Sequence, residues 1–96
     1  MTTTVKISGI DYKVDTFEPG VDRDLMGRLQ YDTAQIFVRK DIPFDKQMET
    51  LLHEVIHVVY MNAGLRPDDE EEKVVTAISS GVFQFLKDNS DVFRIS

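Results

Sequence analysis

The hydrophobic period of this chain changes at Pro43, and that single change restricts the folds open to it more than any other feature. Before Pro43, apolar residues alternate with polar ones at a spacing of two; beyond it they recur at three and four. Alternation suits half-buried strands and the longer spacing suits amphipathic helices. A chain of 96 residues has room for one hydrophobic core, so residues 1–96 are read as one α+β domain with strands first and helices second.

The segment "TTVKISGIDYKVDTF" sets Val5, Ile7, Ile10, Tyr12, Val14 and Phe17 around Ser8-Gly9, which predicts two short strands joined by a tight turn. A second hairpin is expected where Leu29, Tyr31, Ile36 and Val38 flank Asp32-Thr33-Ala34, and a helical turn over 20–26, delivering Leu25 and Met26 to the core, is the alternative for its approach. The two hairpins are expected to form a small antiparallel sheet. Helix one is expected over 45–63, with Asp45 as N-cap and Gly64 as the stop. Its apolar residues cover most of its circumference, as in a helix packed on several sides. "GLRP" then links it to a second helix within "DDEEEKVVTAISSGVFQFLKDN", whose apolar side carries Val74, Val75, Ile78, Val82, Phe85 and Leu86.

Composition narrows the function. A net charge of -6 argues against a nucleic-acid or anionic-membrane surface. With no cysteine, disulfides, thiolate metal sites and cysteine nucleophiles are excluded, so any metal must be held by His, Asp or Glu. The opening "MTTTVKISG" lacks the basic and apolar regions of a signal peptide, and no apolar run reaches the length of a membrane span, so a cytoplasmic protein is expected.

The chemistry is concentrated in "LLHEVIHVVY", residues 51–60, which contains His53-Glu54-Val55-Ile56-His57, an HExxH motif. Residues four apart on a helix project from one face, so both imidazoles can reach one metal ion. Glu54, next to the first ligand, can reach a water held by that metal without binding the metal itself. The plainer alternative is a chance pair of helix histidines. Only two histidines exist, however, and random placement would produce this motif roughly once in 800 tries. Burying unpaired ionisable groups among so many apolar neighbours would also be costly, and a divalent cation relieves that cost.

A third ligand must come from elsewhere. The longer HExxHxxGxxH signature is absent, because Tyr60 and Ala63 stand at its Gly and last His. A carboxylate is therefore required, and the acidic run Asp68-Asp69-Glu70-Glu71-Glu72 offers several. Most of these are explained as a solvated first turn that favours the helix dipole. By periodicity both Glu71 and Glu72 can flank the buried face of helix two, Glu72 lying three, seven and ten residues before Val75, Ser79 and Val82.

HExxH on one helix followed by a Glu on the next resembles the gluzincin arrangement, and the small size resembles the minimal zinc peptidase domains of the ImmA/IrrE type. The stretches "ETLLHEVIH" at 49–57 and "EKVVTAISSGVFQFLKDNS" at 72–90 are similar to small phage and prophage proteins of this kind, with Ser90 in place of their usual Pro. The resemblance implies a zincin-like fold, a Zn2+ cofactor held by His53, His57 and Glu72, with Glu71 as the fallback, and a peptide or protein as substrate. On that basis Glu54 is expected to act as general base in metal-assisted amide hydrolysis. Tyr31, Tyr60 and Arg28 are candidates to stabilise the oxyanion, although a Tyr on an apolar helix is more often a core residue bonded to backbone. "QIFVRK" offers an edge along which a substrate strand could pair. The alternative is a catalytically silent, zinc-stabilised protein-binding module, which the small size favours and the presence of Glu54 disfavours.

Overall fold

Ser8 and Gly9 both take positive φ, 52° and 84°, the backbone that a two-residue hairpin turn of matching twist requires. They join β1 (Thr3–Ile7) to β2 (Ile10–Phe17), with Ile7 opposite Ile10 and Val5 opposite Tyr12. The second hairpin joins β3 (Gly27–Gln30) to β4 (Gln35–Arg39) through residues 31–34, so Tyr31 lies in the turn and not in a strand. The computed structural model describes residues 3–20 and 25–93. The helical turn considered over 20–26 falls mainly on residues outside these; Leu25 and Met26 are non-helical, and Met26 is 45% exposed.

The four strands form one sheet in the order β1-β2-β4-β3, and β2 runs parallel to β4. The sheet is therefore mixed, which corrects the expectation of an antiparallel one. The reason lies in the inward side chains. Tyr12 and Val14 of β2 and Ile36 and Val38 of β4 are all buried, so these two strands take the central places, and the thinner β1 and β3 are left at the edges. With β3 outside β4, the chain leaving β2 must pass beyond β4 before returning, and the central pair becomes parallel.

Two helices complete an α+β arrangement. α1 (Phe44–Asn62) lies across β4, β3 and β1, where Val58 joins Ile7, Tyr12, Val14, Ile36 and Val38 in the core. α2 (Glu71–Asp88) runs back antiparallel and, among the elements, touches α1 alone, giving three layers: sheet, α1, α2. Pro43, not Asp45, occupies the N-cap position of α1; the Asp45 carboxylate instead accepts a 2.6 Å hydrogen bond from Lys87 near the far end of α2. Gly64 ends α1 as expected, with φ 78° and its N–H donated to the Met61 carbonyl. Along α2 the apolar expectation is met only at Val75. Val74, Ile78, Val82, Phe85 and Leu86 remain exposed, whereas Ser79 is buried against α1. No helix among the described residues is long and apolar enough to cross a membrane.

Since Ile36 is fully buried in a strand paired on both sides, Ile36→Ala should lower stability to urea unfolding by about 3 kcal/mol. Val92→Ala, at a position 69% exposed, should cost less than about 0.5 kcal/mol. Comparable losses at the two positions would contradict the central placement of β4.

Candidate metal centre

His53 and His57 sit one turn apart on the flank of α1 that faces α2, and their Nε2 atoms converge to 3.2 Å. Two imidazole nitrogens on a tetrahedral zinc, each 2.0 to 2.1 Å from it, would stand about 3.3 Å apart. The Glu72 carboxylate closes the group from α2. One of its oxygens is 2.8 Å from His53 Nε2 and the other 2.9 Å from His57 Nε2. His53, His57 and Glu72 thus form a group whose ligand atoms all lie within 4.8 Å of one another and that could hold a metal ion.

The other ring nitrogen of each histidine is also occupied. His57 Nδ1 lies 2.7 Å from Glu71 Oε2, and His53 Nδ1 lies 3.5 Å from Ser79 Oγ. A carboxylate opposite Nδ1 makes that nitrogen the N–H donor, which leaves the Nε2 lone pair directed at the cluster. Two lone pairs and a carboxylate then face one another, an assembly of acceptors that needs a proton or a cation between its members. The adjacent glutamates therefore take different places. Glu72, exposed at its outer side, joins the convergent group, while Glu71, largely buried, orients His57 from behind. Ser79, seven residues after Glu72 in the column that faces α1, was visible in the sequence as a polar residue among buried ones.

Glu54 points from α1 towards β3, beside the histidines, and is only 8% exposed. Burial pushes its carboxyl up to about 7; His57 opposes that shift and Glu72 adds to it. Gly27 makes this burial possible. A Cβ there would stand 2.9 Å from Glu54 Oε2, 2.6 Å from Thr50 Cγ2 and 3.3 Å from the Phe37 carbonyl oxygen, so the backbone of β3 presses against the carboxylate as no other residue would allow. No sequence signal marked Gly27, because the approach is created by the tertiary fold. His53, Glu54 and His57 share the floor of a cleft of about 640 Å³, with Met26 and Leu29 on the strand side and Thr76 and Ser80 on the helix side.

The proposed oxyanion donors are placed less favourably. The Tyr31 hydroxyl donates to Asn62 Oδ1 at 2.6 Å, and the Tyr60 hydroxyl donates to the Arg66 carbonyl oxygen at 3.3 Å, the backbone bond expected of a structural Tyr. Arg28 stacks its guanidinium 4.8 Å over the Phe37 ring and also borders the cleft. The edge expectation is corrected too. "QIFVR" forms β4, paired on both sides, and the free edge beside the cleft belongs to β3.

The raised Glu54 pKa has a consequence for the metal-free protein. A folded-state pKa above the unfolded value gives stability that is complete below the unfolded value of 4.5 and is lost as pH rises towards 7. Glu54→Gln should remove this loss, making the variant more stable than wild type at pH 8 by as much as about 3 kcal/mol in the metal-free state. The two should converge towards pH 4, as read by denaturant titration across that range. A difference independent of pH would show that Glu54 is not ionising in the fold.

Comparison of the chain with protein-family models, with curated proteins and with solved structures finds no match.

Proposed function

We propose that this protein is a small zinc-dependent peptidase-like hydrolase of gluzincin type, with a zincin-like fold, from a phage or prophage. The observation that carries the proposal is the convergence of His53 Nε2, His57 Nε2 and the Glu72 carboxylate at the floor of a cleft that also holds a buried carboxyl with a pKa near neutrality. The donor set of two imidazoles and one carboxylate suits zinc with one position open to water. When bound, zinc would polarise a substrate carbonyl and lower the pKa of a water molecule towards neutrality.

The chain's own residues supply the rest. Glu54, poised near pH 7, accepts the proton of the attacking water and passes it to the leaving nitrogen. Glu71 and Ser79 hold the imidazole rings so that Nε2 faces the cluster. An extended peptide can lie along the β3 edge, which borders the cleft and whose other side is paired with β4. The second reading, a metal-stabilised binding module, is favoured by one observation: the hydroxyls of Tyr31 and Tyr60 are committed to structural hydrogen bonds, so neither is free to donate to an oxyanion.

Elemental analysis should find one zinc per chain in the wild type and in Glu54→Gln, and none in His57→Ala. Glu71→Gln should weaken zinc affinity by about 10- to 100-fold, as expected for a carboxylate that orients a ligand. Wild type that remains metal-free after reconstitution would overturn the reading. With zinc bound, the wild type should cleave members of a random peptide library and Glu54→Gln should not; cleavage by neither would favour the binding module. Gly27→Ala should keep its zinc yet lose at least tenfold in cleavage rate, because the new methyl group displaces the Glu54 carboxylate. Unchanged cleavage by Gly27→Ala would detach β3 from the positioning of the base.

A further inference from the structure

Among the described residues the flank of the helical pair opposite the cleft is apolar and uncovered, and we propose that it is the contact face of a symmetric homodimer in which two copies of the α1–α2 pair form a four-helix core between two outer sheets. On α2, Val74, Ile78, Val82 and Phe85 are 38%, 47%, 37% and 52% exposed, and on α1 Val59 and Phe44 are 46% and 67% exposed. At 100° per residue, the four α2 side chains lie on the opposite side of the α1 contact from Glu72, Thr76 and Ser80, which border the cleft. Val59 lies on the corresponding side of α1, away from His53 and His57. The uncovered residues therefore form one face.

The extent of that face matches what a dimer needs. The exposed parts of these six residues amount to roughly 500 Å². A standard interface buries about 800 Å² on each partner, a little over half of it non-polar, or about 450 Å². A second copy supplies the same face turned by a two-fold axis, and two antiparallel helical pairs stacked in this way make a four-helix core.

Gly81 is an independent pointer. It stands in the interior of α2, exposed, where it weakens the helix, and a Cβ added there would meet nothing within 4 Å. Nothing among the described residues accounts for its lack of a side chain. It lies beside Val74 and Phe85 on the wheel and one turn from Ala77, so the rim of the apolar face is low enough for another helix to approach closely. The net charge of -6 on each copy opposes association. Salt screens that repulsion and strengthens apolar burial, so the dimer should tighten as salt is added; a basic partner on the same face would be released.

Sedimentation velocity of the full chain, run with added zinc and again with chelator, tests the proposal separately from the metal reading. The wild type is expected to sediment with twice the chain mass at submillimolar concentration under both conditions, and more completely at 0.5 M salt, roughly a threefold rise over physiological ionic strength. Ile78→Glu should sediment as a monomer with an unchanged far-ultraviolet circular dichroism spectrum. Gly81→Gln should raise the melting temperature of the dilute, monomeric protein, since it improves α2, while weakening association at least tenfold, and a folding defect cannot produce that pair of opposite effects. A monomeric wild type at submillimolar concentration and high salt would overturn the proposal and leave the face to a different kind of partner. A dimer unaffected by both substitutions would overturn it in favour of another surface.

Discussion

The contact between α1 and α2 is the one on which the functional part of this structure depends. α2 touches no strand and buries only Val75 and Ser79 completely, so apolar packing alone holds it weakly. Much of what fixes it is polar: Glu72 across both Nε2 atoms, Glu71 on His57 Nδ1, and the Lys87–Asp45 pair at the opposite end. The candidate metal group is therefore also the clamp of the helical pair. Four groups that would be costly to bring together unpaired are made mutually compatible by a proton or a cation, and binding energy at that point is at the same time docking energy for α2.

The sheet contributes by a different route. Placing β4 at the centre commits Ile36 and Val38 to the core and pushes β3 to the edge, where the missing side chain of Gly27 lets its backbone close over Glu54. A carboxyl one residue from an imidazole of the candidate metal group is thereby withdrawn from solvent while the imidazole remains at the cleft. Ionising Glu54 costs the fold energy, and the same burial would suit it to the proton transfer proposed for it near neutral pH. Stability and the proposed chemistry make opposite demands on this residue.

Much of this was legible in the sequence because it is written in local patterns. The Ser8-Gly9 turn, the change of period at Pro43, the stop at Gly64 and the i, i+4 histidines each depend on residues a few positions apart. The parallel pairing of β2 with β4 was not legible, since strand order depends on which strands bury the most and no short-range signal encodes it. The two glutamates show the same limit at the site. Periodicity left Glu71 and Glu72 equivalent, and only the tertiary position of the first turn of α2 sends one to Nδ1 and the other to both Nε2 atoms. The apolar side of α2 was read correctly as a pattern and wrongly as a buried face, because a stripe of apolar residues specifies a contact without naming what makes it.

The parallel register of β2 and β4 also bears on how the chain reaches this state. Each hairpin closes over a short loop, on the microsecond scale of such turns, but neither presents a complete inward face by itself. The pairing of Val14 with Ile36 must join the two hairpins across the long intervening segment, and α1 can find its full seat only when β4 and β1 lie in one sheet. Topology thus makes hairpin docking the slow and cooperative event.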